Sequence, residues 1–350
     1  MPNALTSPLT RRGLLAAGGA TALGVALAAC GNSGSNDAKD AEEGTTNAAG
    51  GKKSGPWSFK DDRGITAKAD HTPQRIVAFT GTAAALHDYG VEVVGVFGPT
   101  KTKDGKPDVQ AGDLDVNKVE IIGNTYGEFN VEKYAALNPE LLVSAQWIKN
   151  QLWYVPDQSK DKILQLAPSV ALWAAETTMP KAIERHAELA ASLGADLKAP
   201  EVTAAKARFE KAAARLRAAA KAKPEIRVLI GSASQDLFYV SLAKTSADTL
   251  YFQQLGVRFI QPDHVDAQGF FENLSWENVG KYKADIIMMD NRSSAIQPSA
   301  LGSKPTWQEL PAVKAGQVIP RTSEPIFSYD KCAPILDALA QAIERAKKVS

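Results

Sequence analysis

Phe129 to Ala145 reads FNVEKYAALNPELLVSA, and Leu274 to Asp290 reads LSWENVGKYKADIIMMD. The two stretches share one pattern. A polar residue suited to capping a helix, Asn130 or Ser275, stands two positions before a glutamate, Glu132 or Glu277. Eight positions further on (132 to 140, 277 to 285) an acidic residue, Glu140 or Asp285, opens a short apolar run. Asn and Ser side chains accept hydrogen bonds from the free amides of a first helical turn, and a glutamate there suits the positive end of the helix. The runs Leu141-Leu142-Val143 and Ile286-Ile287-Met288-Met289 suit strands buried on both faces. One helix-to-strand unit therefore occurs twice, which predicts an α/β chain built of two similar lobes.

A chain of 350 residues is long enough for two domains, each with its own core. Its 40 Lys+Arg are balanced by 39 Asp+Glu, with neither a basic stripe for nucleic acid nor an acidic solvating tail.

Residues 1 to 29 read as an export signal. Thr10-Arg11-Arg12-Gly13-Leu14-Leu15 places paired arginines before a mild apolar run to Ala26, too short and too weakly apolar for a membrane span. The segment resembles a twin-arginine signal. It ends in Leu27-Ala28-Ala29-Cys30-Gly31, which resembles a bacterial lipobox. Cleavage before Cys30 would let that sulfur and the new amine carry lipid; the alternative is an ordinary signal with an incidental cysteine. Residues 30 to 57 then hold Gly, Ser, Asn, Ala and charge, the composition of a flexible tether. The expected location is the outer face of the cell membrane, lipid-anchored. The second cysteine, Cys332, shares a helical face with Ile335, Leu336 and Leu339 and reads as a small core residue.

A first lobe is expected over 58–175, with strands at Arg75–Phe79, Val91–Phe97, Val119–Ile122, Leu141–Val143 and Ser169–Trp173 alternating with helices, the pattern of a parallel sheet. Residues 176–224 read as two helices. The second, Glu201 to Lys221, is Ala-rich and free of Gly and Pro, and spans roughly 30 Å. It reads either as a strut joining the lobes or as a surface helix on one of them. A second lobe over 225–350 repeats the plan, with a loop from Gln261 to Asn273 ahead of the second repeat unit.

Four features together resemble the solute-binding lipoproteins of bacterial ABC importers that carry ferric siderophores, haem and cobalamin. They are Pro73-x-Arg75-Ile76-Val77-Ala78, Gly90-Val91-x-x-Val94-Gly95, the paired repeat units, and Pro305-x-Trp307-x-x-Leu310-Pro311-Ala312-Val313-x-x-Gly316-x-Val318. The resemblance implies two α/β lobes joined by one long helix, a ligand cleft between them, and a monomer that delivers its ligand to membrane permease subunits.

In open α/β sheets ligands sit beyond the carboxyl ends of the strands. Applied to each lobe, that rule selects Thr80, Tyr126, Trp147, Trp153 and Tyr154 in the first. In the second it selects Tyr239, Phe270, Phe271, Arg292, Phe327 and Tyr329. Rings beside a few hydrogen-bonding or positive groups suit a bulky metal chelate with apolar arms. Arg292, Lys149, Lys244 and Arg321 are the available cations, while Trp276 and Trp307 read as core. Some siderophore binders of the family carry an arginine just before the first repeat glutamate; here Tyr126 takes that place. The resemblance also implies that Glu132 and Glu277, one on each lobe, dock on arginines of the permease; the plainer alternative is helix-dipole placement.

No G-x-x-x-x-G-K-[ST], G-x-S-x-G, H-E-x-x-H or C-x-x-C occurs, and His71, His87, His186 and His264 are scattered. The chain therefore reads as a binding protein rather than an enzyme. Its first-choice ligand is a ferric siderophore of hydroxamate type, whose iron needs no protein ligand and no cofactor. Haem, with Tyr154 or Tyr239 as ligand, and a cobalamin-type corrinoid remain alternatives. More distant ones are free metal capture and an extracellular enzyme or adhesion module.

Overall fold

A computed structural model describes residues 55–350, so the expected signal, Cys30 and nearly all of the tether lie outside the described residues. Buried Trp57 opens a hairpin that the sequence reading did not anticipate, β1 (Trp57–Lys60) and β2 (Thr66–Ala69). Its indole N–H donates to Ser192 Oγ at 3.1 Å. β3 (Ile76–Phe79) runs into α1 (Thr80–Asp88), which stops at Gly90, where φ of +81° takes the left-handed turn glycine accepts freely. β4 (Gly95–Phe97), β5 (Glu120–Gly123), α2 (Val131–Ala136), β6 (Leu141–Gln146), α3 (Lys160–Leu166) and β7 (Ser169–Trp173) complete the first sheet. Its order is β5-β4-β3-β6-β7, with every pairing parallel.

α4 (Met179–Ser192) leads to the long helix α5 (Pro200–Ala222). The buried stripe of α5 includes Val202, Ala205, Phe209, Ala212, Leu216 and Ala219, recurring every three or four residues as one face of a helix must. β8 (Arg227–Ala233), β9 (Leu237–Ser241), α6 (Ala247–Gln254), β10 (Arg258–Phe259), β11 (Phe271–Ser275), β12 (Ile286–Asp290), α7 (Pro305–Gln308), α8 (Pro311–Lys314), β13 (Val318–Arg321) and α9 (Tyr329–Arg345) follow.

The repeat persists in its hydrogen bonds. Glu140, at the entrance to β6, accepts the amides of Gln74 (2.7 Å) and Arg75 (3.0 Å) just ahead of β3. Asp285, at the entrance to β12, accepts the amide of Arg227 (2.8 Å) at the start of β8, and those of Val349 and Ser350. In each lobe, then, one carboxylate pins the start of the central strand to the strand beside it. Burial works against charge on both acids, but the amide bonds outweigh it and hold each carboxyl down to about 2.

The helical half of the unit diverges. Asn130 caps α2, its Oδ1 accepting from Lys133 N at 2.9 Å. Ser275 makes no such cap, because it is the last residue of β11, and the turn after it is a 3-10 helix, Trp276–Lys281. The second sheet diverges too. β12 and β13 lie parallel to β8 on one side, but the other edge of β8 is shared. β10 takes its first residues in parallel, and β9 takes its carboxyl end antiparallel, with β11 antiparallel beyond. The loop expected from Gln261 to Asn273 therefore ends in a strand, and the second lobe is a mixed sheet.

α5 does not stand free between the lobes. It packs along α9, with Arg215 bonded to Glu344 and Asp337, and Phe209 lies against Tyr251 of α6 and Tyr329 of α9. One apolar cluster runs from Val77 and Leu142 of the first sheet through Phe209 and Leu216 to Val228 and Met288 of the second. A shared core of this kind favours small lobe displacements over wide hinge closure.

His186 on α4 is fully buried against Phe327, with Nδ1 at 2.8 Å from Ala182 O. Burial pushes its pKa down from 6.5 to about 4, so the fold holds a neutral ring. Stability from this group is complete above pH 6.5 and is lost as pH falls to 4, where the unfolded chain has already taken the proton. The loss amounts to at most about 3 kcal/mol. Wild-type Tm should therefore fall more steeply across that interval than Tm of His186→Leu; equal slopes would assign the titration to other groups.

Candidate functional site

The carboxyl ends of strands from both lobes meet around a cavity of about 220 Å³. Trp147 follows β6 directly, and Trp153 returns beside it because its amide donates to Ala145 O (3.0 Å) and its carbonyl accepts from Ser144 Oγ (2.8 Å). The two indoles form the first-lobe wall, with ring centroids 6.3 Å apart. Opposite them stand Phe270 and Phe271, at the start of β11, with centroids 6.1 Å apart. The register pair Phe271 and Ser241 puts those rings at the cleft end of the antiparallel strands, so the departure from the first-lobe plan is what builds this wall. Ser232, Ser241, Thr245, Ser246 and Ser323 add hydroxyls to the lining.

Five charged groups lie at or behind the floor. The Arg292 guanidinium bonds the Asp290 carboxylate through Nε and Nη2, the shortest contact being 2.7 Å, and Glu324 Oε1 through Nη1 at 2.5 Å. Arg321 is paired two-fold with buried Asp248, at 3.0 and 3.1 Å. Burial disfavours charge on both Asp290 and Arg292, but Arg292 more than offsets it for Asp290, and Glu324 together with Asp290 does so for Arg292, holding Asp290 below and Arg292 above the usual range. Three carboxylates thus face two guanidiniums, each already engaged.

Three contacts cross the cleft near this floor. Gln110 Nε2, from the loop between β4 and β5, donates to Glu324 Oε2 at 2.8 Å, and Ser293 Oγ donates to Asp108 Oδ2 at 2.5 Å. Trp153 Nε1 also reaches Glu324 Oε2, at 3.4 Å. The Trp147 indole N–H, by contrast, is a buried donor without an acceptor. A buried donor of this kind is costly unless something bonds it.

The sequence-selected residues divide accordingly. Trp147, Trp153, Phe270, Phe271 and Arg292 line the cavity, with Arg321. Tyr126 is 66% exposed on the first-lobe rim, its ring against Trp153 and Tyr154 (centroids 5.4 and 5.2 Å), and the tyrosines share a small neighbouring groove. Tyr154 also packs on Phe79, and burial raises its phenol pKa. Tyr239 stands behind Phe271 with its hydroxyl bonded to Ser234 Oγ. Thr80 is buried, its hydroxyl held by Phe97 O and Thr100 Oγ1. Phe327 is in the core, and Tyr329 lies beneath α5. Trp276 and Trp307 are buried, Lys149 and Lys244 exposed.

Glu324, Asp248, Gln110 and Asp108 were missed. The strand-end rule that selects Arg292 reaches Glu324, three residues past β13, when acids are searched as well as cations and rings. No local signal marks Asp248 or Gln110. Among the described residues no group of three or more His, Cys, Asp or Glu is arranged to hold a metal ion, and no helix is long and apolar enough to cross a membrane.

A family model described as periplasmic binding protein matches residues 77–325. The chain is similar to DesE, a ferric-siderophore receptor protein from Streptomyces coelicolor, at 63% identity over 84% of this chain and 100% of that one, with a TM-score of 0.81. It is similar to the Fe(3+)-citrate-binding protein YfmC of Bacillus subtilis (strain 168), 25% identical over 260 residues, 74% of this chain and 76% of that one. Staphylococcus aureus SirA, solved with staphyloferrin B, shares the fold at 19% identity and a TM-score of 0.58, over 83% of this chain and 99% of that one. The matched span runs from β3 to the loop after β13, taking in both sheets and the cavity between them, and the chain belongs to the periplasmic binding protein family.

Proposed function

We propose that the protein captures a ferric siderophore, by preference a hydroxamate, outside the cell and delivers it to the permease of an ABC importer. The observation that carries this reading is a ring-walled cavity between two lobes in a chain 63% identical, over 84% of its length, to a ferric-siderophore receptor. A tris-hydroxamate of iron is uncharged and presents carbonyl oxygens and apolar arms. The indole and phenyl walls suit the arms, and the lining hydroxyls of Ser241, Ser246 and Ser323 suit the oxygens. Recognition by stacking and hydrogen bonds breaks no covalent bond, and the siderophore itself coordinates the iron. A triply anionic catecholate is disfavoured, because the two cavity guanidiniums are already paired. Haem is disfavoured because neither candidate tyrosine offers its oxygen to the cavity, Tyr239 being bonded to Ser234 and Tyr154 lying outside the lining.

Delivery rests on Glu132 and Glu277, exposed in equivalent places on the two lobes, as the groups that meet the permease. Export under residues 1–29, a lipid at Cys30 and a tether ending before Trp57 complete the proposed arrangement at the outer face of the cell membrane.

Tryptophan-fluorescence titration against ferric trihydroxamates, ferric catecholates, haem and corrinoids tests the ligand class. Saturable quenching by a trihydroxamate is expected, with Trp147→Ala weakening it by about 30-fold or more, the cost of losing a central aromatic anchor. Trp147→Phe, which keeps a smaller ring at the wall, should weaken it by less, about fivefold. Quenching by haem or corrinoid alone would overturn the reading.

A further inference from the structure

We infer that Glu324 sets the charge selectivity of the cleft: its carboxylate takes the last free nitrogen of Arg292, the one a ligand oxygen would otherwise engage, adds a surplus negative charge, and so excludes anionic ferric chelates. This rests on the ferric-siderophore reading and narrows it. Arg292 needs only Asp290 for neutrality, and that partner, adjacent on the same strand end, already meets it through two nitrogens. Glu324 supplies a second carboxylate to the same guanidinium, taking Nη1, which Asp290 leaves free. Arg321 is satisfied separately by Asp248, so the surplus charge belongs to Glu324.

The position is held from both sides of the cleft. Glu324 is 7% exposed yet lines the cavity, and its other oxygen accepts from Gln110 and Trp153 of the opposite lobe. A carboxylate anchored by three donors does not swing aside when an anion arrives. In a poorly hydrated cleft its repulsion is felt at close range and little screened. An uncharged chelate meets no such opposition, and its arms contact the indoles beside Glu324.

The test is the ratio of two affinities, for an uncharged ferric trihydroxamate and a trianionic ferric tris-catecholate, read by intrinsic fluorescence. Wild type should prefer the trihydroxamate, and Glu324→Gln, nearly the same shape without the charge, should shrink the preference by at least about tenfold. Because any general loosening of the cleft moves both affinities, the ratio isolates charge. Wild-type protein supplies a second measurement that needs no substitution. Raising salt from about 0.1 M to 1 M shortens the screening length from about 10 Å to 3 Å, yet this close-range repulsion is little screened, so the ratio should move far less than it does in Glu324→Gln. A wild type that binds the tris-catecholate as tightly as the trihydroxamate, or a ratio unmoved in Glu324→Gln, overturns the assignment and leaves the ferric-siderophore reading standing. Failure of wild type to bind any ferric siderophore overturns that reading instead.

Discussion

Siderophore-dependent iron uptake should fall to background in cells whose only copy of this protein carries Glu132→Ala together with Glu277→Ala, while the purified double variant binds its ligand as wild type does. Both side chains are exposed, and neither lines the cavity. One stands in the first turn of α2, the other in the first turn of the 3-10 helix after β11, so the two lobes present a carboxylate at the same point of the repeat. Their local surroundings differ, since Glu277 is held below the usual carboxylate range by its own amide and the Ser275 hydroxyl. What they share is placement, which a two-fold permease surface could meet with one guanidinium per lobe. If both acids served only their helices, removing them would cost a few tenths to about 1 kcal/mol each and leave transport intact. Uptake at wild-type rate with a slightly lowered Tm would therefore assign them to helix stabilisation and place docking elsewhere.

The second large effect is on stability. Asp248→Ala should lower it by about 3–5 kcal/mol, a fall in Tm on the order of 10 °C, because it leaves the Arg321 guanidinium buried without a counter-charge. Arg321 is 5% exposed, and Asp248 is completely buried. The pair joins the amino end of α6 to the carboxyl end of β13, across the floor of the cleft. Replacing both partners, Asp248→Leu with Arg321→Met, removes the unpaired charge along with the bond and should recover most of the lost Tm. Equal losses in the single and double variants would show that packing, not charge, carries the effect.

The relation of sequence to site is uneven in an instructive way. Trp147, Phe270 and Arg292 were reachable because a residue just past, or beside, the end of a buried strand is a local fact of the sequence, and the cavity forms where such ends meet. Thr80 and Phe327 obey the same rule, yet Thr80 turns to Phe97 and Thr100, and Phe327 to His186 in the core. Position along a strand does not state which side of the sheet end a side chain takes. Glu324 has partners at Gln110, Trp153 and Arg292, and Asp248 has its partner at Arg321; no period or short motif links residues so far apart.

The amino-acid sequence by itself determined the two lobes, the existence of the long helix over 201–221, and the paired acids Glu140 and Asp285 at matching strand entrances, because hydrophobic period, capping chemistry and internal repetition are written within short windows. Only the tertiary structure decided that β9 and β11 run antiparallel along the cleft end of β8, that α5 shares its core with both sheets, and that three carboxylates, one of them behind the floor, face the two cavity guanidiniums. Strand direction, shared packing and ion pairing depend on which distant segments meet, and a local pattern of residues does not specify that meeting.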